Sequence, residues 1–136
     1  MQTVERFFQD YAQAYISAEL ARFEQLVATP SLLLAGEQKT VLTDGNCLRQ
    51  HVLATVEKYR NLGVEHADFV LQHQLRLSEQ LQFASLYWRF YAADNKILFT
   101  CHTSYTLQKC AAQWQVVSII IDDELAAYNR AAANQA

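Results

Sequence analysis

The feature of this sequence that most constrains its fold is a long region in which apolar and polar side chains alternate. After Gly63 the chain keeps a two-residue period through four runs, at 67–77, 81–92, 96–107 and 113–122. Successive side chains of a β-strand point to opposite faces of a sheet, so this period predicts strands. Short segments typical of turns separate the runs, and we therefore expect neighbouring strands to pair as an antiparallel meander.

The first half of the chain has a helical period instead. Residues 4–16 carry the apolar stripe of an amphipathic helix, and Ser17 can cap a second helix that Pro30 would end. The segments SLLLA and KTVLT predict two short strands. A third helix follows, with Thr43 or Asp44 as its N-cap and a glycine after its last turn.

Helices followed by long strands predict an α+β fold, with three helices packed on one face of a curved, mainly antiparallel sheet. The chain has 136 residues and shows neither a linker nor an internal repeat. We therefore expect a single domain over residues 1–125. The polar, alanine-rich tail at 126–136 is expected to be a frayed helical turn or disordered.

Charge, apolar runs and cysteine spacing argue against several classes of protein. The net charge is −3 without long runs of like charge, so neither nucleic acid nor an anionic membrane is an expected partner. The apolar runs are too short to span a bilayer, and the first residues lack the apolar block of a signal peptide. Three cysteines show no metal-ligand spacing. We expect a cytoplasmic protein without a metal or cofactor.

Four segments and one tryptophan carry a family resemblance. The segments are VERFFQDYAQAYISAELARFEQLV, LRQHVLATVEKYRNLG, CHTSYTLQK and QWQVVSIIIDDE, and Trp88 lies in a middle strand. Together with the order of elements, they resemble the nuclear transport factor 2-like superfamily in its SnoaL-like branch. The resemblance implies a cone-shaped, cystatin-like fold with a pocket between the concave face of the sheet and the helices. That superfamily includes isomerases, dehydratases, cyclases and hydrolases, and also non-catalytic binding and scaffold proteins, so the site must decide the function.

Several enzymes of the superfamily use an acidic base on the short strand pair after the second helix. The matching positions 32–35 of this chain are LLLA, without a carboxylate, and Glu37 lies in the turn. Proton abstraction of that kind is therefore not expected here. Acid–base chemistry of isomerase or dehydratase type, without a metal, would instead use His73 as the base and Tyr105 or Tyr15 as the donor.

Side-chain parity along the predicted strands selects the residues that can line a pocket. His73 falls in an apolar inward row, where it is either a core histidine with one hydrogen-bond partner or a pocket base. Aromatic walls with a few hydroxyl groups suit a small, neutral, apolar or aromatic ligand. The predicted lining, with two tyrosines from the first helix, consists of Tyr11, Tyr15, His73, Trp88, Thr103, Tyr105 and Ser118.

The opposite face of the predicted sheet combines tyrosine, arginine and large aliphatic residues. Exposed apolar patches of this size usually mark an interface, and tyrosine and arginine are enriched in interfaces. Proteins of the resembled superfamily commonly pair sheet to sheet. We therefore expect a homodimer through a face that comprises Tyr87, Arg89, Tyr91, Val117, Ile119 and Ile121.

These features predict a small-molecule-binding protein with an apolar-aromatic pocket, and they leave open whether it also catalyses acid–base chemistry on a neutral hydrophobic ligand. The alternative is a non-catalytic dimeric scaffold or accessory protein whose cavity is filled by its own side chains.

Overall fold

Four helices and six strands make up the computed structural model, which describes residues 3–134 except the side chains of Glu124 and Leu125. The elements in chain order are α1 Val4–Ile16, α2 Leu20–Leu26, β1 Val27–Ala35, β2 Gln38–Leu42, α3 Gly45–Leu62, β3 His66–Arg76, β4 Leu81–Tyr91, β5 Ile97–Cys110, β6 Gln113–Ile121 and α4 Glu124–Asn134.

All six strands form one sheet in the order β2-β1-β6-β5-β4-β3. Strands β3 to β6 pair with their chain neighbours in antiparallel fashion, which confirms the predicted meander. Strand β1 pairs with β2 antiparallel and with β6 parallel, so the sheet is mixed. The α+β class and the helices packed against a sheet agree with the sequence prediction.

The prediction of three helices is wrong, because the residues expected to form a loose tail include a fourth helix. Helix α4 packs against β5, and its residues Ala127 and Ala131, one turn apart, are buried. Their small side chains let the helix backbone approach the sheet closely. Residues 135–136 of the predicted tail lie outside the described residues.

The second helix also ends earlier than its apolar stripe predicts. Val27 is the first residue of β1 and pairs with Val116 of β6, so Pro30 lies inside a strand instead of ending a helix. Helix α2 begins without a side-chain cap, whereas Ser17 is the C-cap of α1. Pairing with β6 therefore overrides the helical pattern at this boundary.

Local capping explains where the two longer helices of the first half begin and end. The hydroxyl of Thr3 accepts a hydrogen bond from the backbone N–H of Arg6 at 3.1 Å, and Asp44 accepts one from Cys47 at 2.9 Å. Gly63 ends α3 with φ of 98°, a left-handed conformation that glycine adopts without strain. No helix within residues 3–134 has the combined length and apolar composition that crossing a membrane requires.

The core lies between the sheet and helices α1 and α3. On β4, every second residue from Gln82 to Phe90 is buried, so one face of this strand is entirely covered. Phe8 of α1 packs against Tyr105 with ring centroids 4.7 Å apart, and Tyr59 of α3 packs against Phe90 at 4.8 Å. These contacts define an inward sheet face, which meets the helices, and an outer face.

A β-bulge in β3 changes the predicted orientation of His73. Leu71 pairs with Leu86, but His73 pairs with Ser85, which leaves Gln72 as an extra residue between them. One extra residue reverses the alternation of all the residues that follow. His73 is therefore exposed on the outer face, and its expected inward position is corrected.

A second bulge has the same effect on β6. Leu107 pairs with Val116 and Thr106 pairs with Ser118, so Val117 is the extra residue. Ser118 consequently lies on the outer face. Ile119 and Ile121 pair with the inward residues Tyr105 and Thr103, and they face inward, opposite to the prediction.

Replacing Leu86 tests the assignment of the inward face. Leu86 is fully buried, whereas Leu53 on α3 is 48% exposed. We expect Leu86→Ala to lower the free energy of unfolding by about 2–5 kcal/mol, because it leaves a cavity in a packed core. Leu53→Ala, the matched control, should change it by less than about 0.5 kcal/mol. Urea unfolding followed by circular dichroism measures both, and equal losses would contradict the assignment.

Candidate functional site

A cavity of about 220 Å³ lies between the inward face of the sheet and helices α1, α3 and α4. Aromatic and aliphatic side chains form most of its wall. Tyr11 and Tyr15 of α1 border it on one side, Trp88 of β4 forms part of its sheet wall, and Tyr128 of α4 closes part of its edge. The cavity is thus bordered by the sheet and by three of the helices.

Three buried polar side chains are linked to one another in the sheet wall. The indole N–H of Trp88 donates to Thr103 Oγ1 at 2.8 Å and to the Tyr105 hydroxyl at 3.2 Å. The Thr103 hydroxyl donates to the Tyr105 hydroxyl at 2.8 Å. Buried polar groups need such partners, and the two bonds from the indole N–H hold the ring in one orientation. The sheet wall is therefore a rigid surface with hydroxyl groups at one point.

Aromatic contacts connect α1 to this wall. The Tyr11 ring lies edge-on to Tyr105 and to Tyr15, with centroid separations of 5.5 Å and 5.2 Å, and it is 6.4 Å from Trp88. Tilted and edge-to-face arrangements are favoured between aromatic rings, beyond the gain from burial. These rings fix the position of α1 over the sheet and set the width of the cavity.

The helix α3 contributes the polar edge of the cavity. His51, Thr55 and Lys58 follow each other at helical spacing and all line the cavity. The Thr55 hydroxyl donates to the backbone carbonyl of His51 at 3.1 Å, and the Tyr128 hydroxyl donates to that of Lys58 at 3.2 Å. The second bond joins α4 to α3 beside the cavity. The sequence prediction did not include these α3 residues.

The imidazole of His51 has an altered proton affinity. Burial lowers the pKa of His51 below its ordinary value of 6.5, and the positive charge of Lys58 lowers the pKa further. The ring is accordingly neutral at pH 7. A neutral imidazole can accept a proton or a hydrogen bond, which makes His51 the basic group of this site.

The structure brings together five of the predicted lining residues and separates two. Tyr11, Tyr15, Trp88, Thr103 and Tyr105 border the cavity. The other two, His73 and Ser118, lie on the outer face of the sheet as a result of the bulges.

Two residues predicted for the outer face, Ile119 and Ile121, border the cavity instead. Ala35 of β1, at the end of the strand where the resemblance implies an acidic base, also lines it. Among the described residues, no Asp or Glu side chain forms part of the lining. Nor do three His, Cys, Asp or Glu side chains of residues 3–134 come close enough together to hold a metal ion.

The altered pKa of His51 gives a direct test of the site. In an NMR titration of the imidazole Cε1–H, His51 should titrate below pH 6.5, the ordinary value. Lys58→Met should raise the pKa of His51, because an uncharged side chain of similar length removes the repulsion of the imidazolium. His51→Gln identifies the signal, and Arg60→Met makes the same change of charge at an exposed position of α3. A His51 pKa that Lys58→Met leaves unchanged would contradict the proximity of the two side chains.

Solved structures with the same fold come from several bacteria. They include Aln2 from a Streptomyces species, which is 17% identical with a TM-score of 0.71, and the match covers 90% of each chain. An NTF-2 like protein of unknown function from Shewanella oneidensis is 12% identical over 87% of this chain and 94% of its own, with a TM-score of 0.66. A ketosteroid isomerase-like protein from Erwinia carotovora atroseptica is 15% identical over 88% and 92%, with a TM-score of 0.65.

At these identities the similarity establishes the fold alone. Comparison with curated protein sequences gives no significant match. The model of one protein family, NTF2-like protein (DUF6841), matches residues 2–124, which is most of the chain. The order of elements, the mixed sheet and this match agree, and the chain belongs to the DUF6841 family of NTF2-like proteins.

Proposed function

We propose that the protein binds a small, largely apolar ligand in the cavity beside Trp88. The observation that carries this proposal is the cavity itself, with a volume of about 220 Å³ and aromatic walls. For scale, an engineered apolar cavity of about 150 Å³ binds benzene. The space therefore suits a molecule with one ring and a short substituent. The alternative function as a scaffold assumes a cavity filled by side chains, and the open volume favours ligand binding over it.

The wall provides both a stacking surface and a polar contact. The rings of Tyr11 and Trp88 offer flat apolar area to a planar ligand. Thr103 Oγ1 accepts one hydrogen bond and donates one, and a hydroxyl oxygen can accept a second. A ligand hydroxyl or N–H group can therefore bind at this point while its ring packs against the indole.

Acid–base chemistry on a bound ligand would fall to His51. This residue borders the cavity and its lowered pKa keeps the ring neutral at pH 7. His73, the candidate that the sequence favoured, lies on the outer face, away from any molecule in the cavity. The ketosteroid isomerase-like neighbour shares only the fold with this chain, and it therefore gives no support for a particular reaction. We accordingly propose binding as the function.

A substitution that blocks the cavity tests the proposal. Thr55 is a half-buried lining residue of α3, and Ala54 beside it is exposed and outside the lining. In a thermal-shift screen of aromatic metabolites, with indole as the reference probe, a bound compound should raise Tm of the wild type by mass action. Thr55→Trp should abolish the shift, because the indole side chain occupies the cavity.

Ala54→Trp places the same side chain one position away, and the shift should persist. The proposal fails if no aromatic compound raises Tm at millimolar concentration. It also fails if a compound raises Tm of the Thr55→Trp variant as much as that of the wild type, since binding would then lie elsewhere.

We also propose that two copies of the chain pair through the outer face of the sheet. This face carries exposed apolar side chains, including Leu32 at 36%, Val70 at 45% and Leu75 at 57% exposure. Large exposed apolar areas are uncommon on monomers. Because of the bulge in β6, Ile119 and Ile121 face inward and Ile120 faces outward. Ile120 therefore replaces these two residues in the proposed interface.

Tyrosine and arginine side chains extend the proposed interface along β3 and β4. Tyr87 packs against His102 with ring centroids 4.9 Å apart. Arg89 Nε donates to Asp68 at 2.6 Å, and the Tyr91 hydroxyl donates to the same carboxylate at 3.1 Å. The ion pair lets Arg89 lie flat on the face without an unpaired charge. Such a surface combines the apolar and polar groups typical of interfaces.

Combined Tyr87→Glu and Ile120→Glu substitutions should convert the dimer into a monomer, because they place two like charges on each side of the interface. Sedimentation velocity measures the change in mass. Leu53→Glu adds a charge at an exposed apolar position of α3 and should leave the dimer intact. A dimer that survives the double substitution would exclude this face.

A further inference from the structure

The cavity is electrically asymmetric. Lys58 is the one charged side chain among the described residues of its lining, and His51 is the other basic group. Both belong to α3, so the basic groups lie on one side. The opposite wall consists of the strand residues around Trp88, Thr103 and Tyr105, which are neutral. The two sides of the cavity therefore differ, since the sheet wall is uncharged and the α3 side carries the basic groups.

The basic groups of α3 have no acidic partner on the cavity wall. None of the ion pairs among the side chains that the structure describes involves Lys58 or His51. Burial, and secondly the positive charge of Lys58, lowers the pKa of His51, so at pH 7 Lys58 carries the charge and His51 is a neutral hydrogen-bonding group. The positive charge of Lys58 beside an apolar cavity attracts an anion, and the neutral imidazole of His51 can add a hydrogen bond to it.

The size of the cavity limits the anion. About 220 Å³ holds one ring with a short substituent, as argued above. A single lysine with one imidazole matches a single negative charge better than a multiply charged phosphate. Lys58 is an exposed residue, so a charged group that it binds would keep part of its hydration. This arrangement avoids the cost of burying a charge completely.

We propose that the ligand is a small aromatic or cyclic monocarboxylate, whose ring packs against Trp88 and whose carboxylate is bound by Lys58 and His51 at the edge of α3. The inference rests on the proposed binding function and names the ligand class for the same cavity. Lys58 donates a charge-assisted hydrogen bond, and the imidazole N–H of His51 donates a second one. The neutral ligand that the sequence predicted would not use the positive charge of Lys58.

Matched pairs of acids and amides test the proposal. The probes are phenylacetate, 3-phenylpropionate and cinnamate, each compared with its primary amide, which has the same shape without the charge. Isothermal titration at low salt measures Kd for each. The best acid should bind about 5-fold more tightly than its amide, the effect expected of a partly exposed ion pair. Raising the ionic strength to about 0.5 M should reduce this preference, because the charges become screened.

One lysine variant and one arginine variant distinguish a direct contact between Lys58 and the carboxylate from a general effect of the charge of the protein. Lys58→Gln should weaken binding of the acid and bring its Kd close to that of the amide, which removes the preference for the acid. Arg60→Gln removes the same charge from an exposed position on α3 outside the lining, and the preference should persist. The Thr55→Trp variant should bind neither compound of any pair.

The possible results distinguish the two proposals. If amides bind as tightly as acids and Thr55→Trp abolishes both, the cavity binds ligands but the inference about the carboxylate is wrong. The inference is also wrong if the preference for acids survives Lys58→Gln. If no acid or amide binds at millimolar concentration, both the proposed function and the ligand class are rejected.

Discussion

The alternation of side chains along β4 is the constraint on which the core and the cavity depend. This strand pairs on both sides and its burial alternates over its full length, so its inward residues have fixed neighbours. Trp88 lies between Phe69 and Cys101 in one row across the sheet. A large indole in that position needs a partner for its N–H, and the hydroxyl of Thr103 provides it at 2.8 Å. The wall of the cavity is therefore a consequence of strand register.

The same alternation explains which parts of the site the sequence could predict. Where the strand is regular, as at Trp88 and Tyr105, parity alone assigns the correct face. The bulges at Gln72 and Val117 each add one residue, which reverses the parity of everything beyond. Neither position carries a glycine or proline to mark it. The predicted orientations of His73 and Ile119 were therefore wrong. The cause is the two bulges, which are visible in the strand pairing but not in the sequence.

On the helical side, the sequence predicted α3, whose buried stripe includes Val52 and Val56, but not the contribution of this helix to the cavity. His51 and Thr55 directly precede the buried residues Val52 and Val56, so they lie at the edge of the stripe. Polar residues at such an edge are indistinguishable by periodicity from those that face solvent. Their position beside the stripe was the available signal. Alanines in α4 were similarly ambiguous, since small residues suit both a loose tail and a helix packed close to a sheet.

The proposed ligand site combines groups from two elements. The sheet provides shape, through side chains joined by hydrogen bonds, and α3 provides the positive charge of Lys58 and a neutral hydrogen-bonding imidazole at His51. Within positions 32–35, the segment where the resemblance implies an acidic base, Ala35 presents only a methyl group to the cavity. A carboxylate at that position would place a negative charge in the same small cavity as a bound anion. Alanine cannot act as an acidic base, and it also does not repel an anion. The side chain at this position is therefore compatible with an acidic ligand.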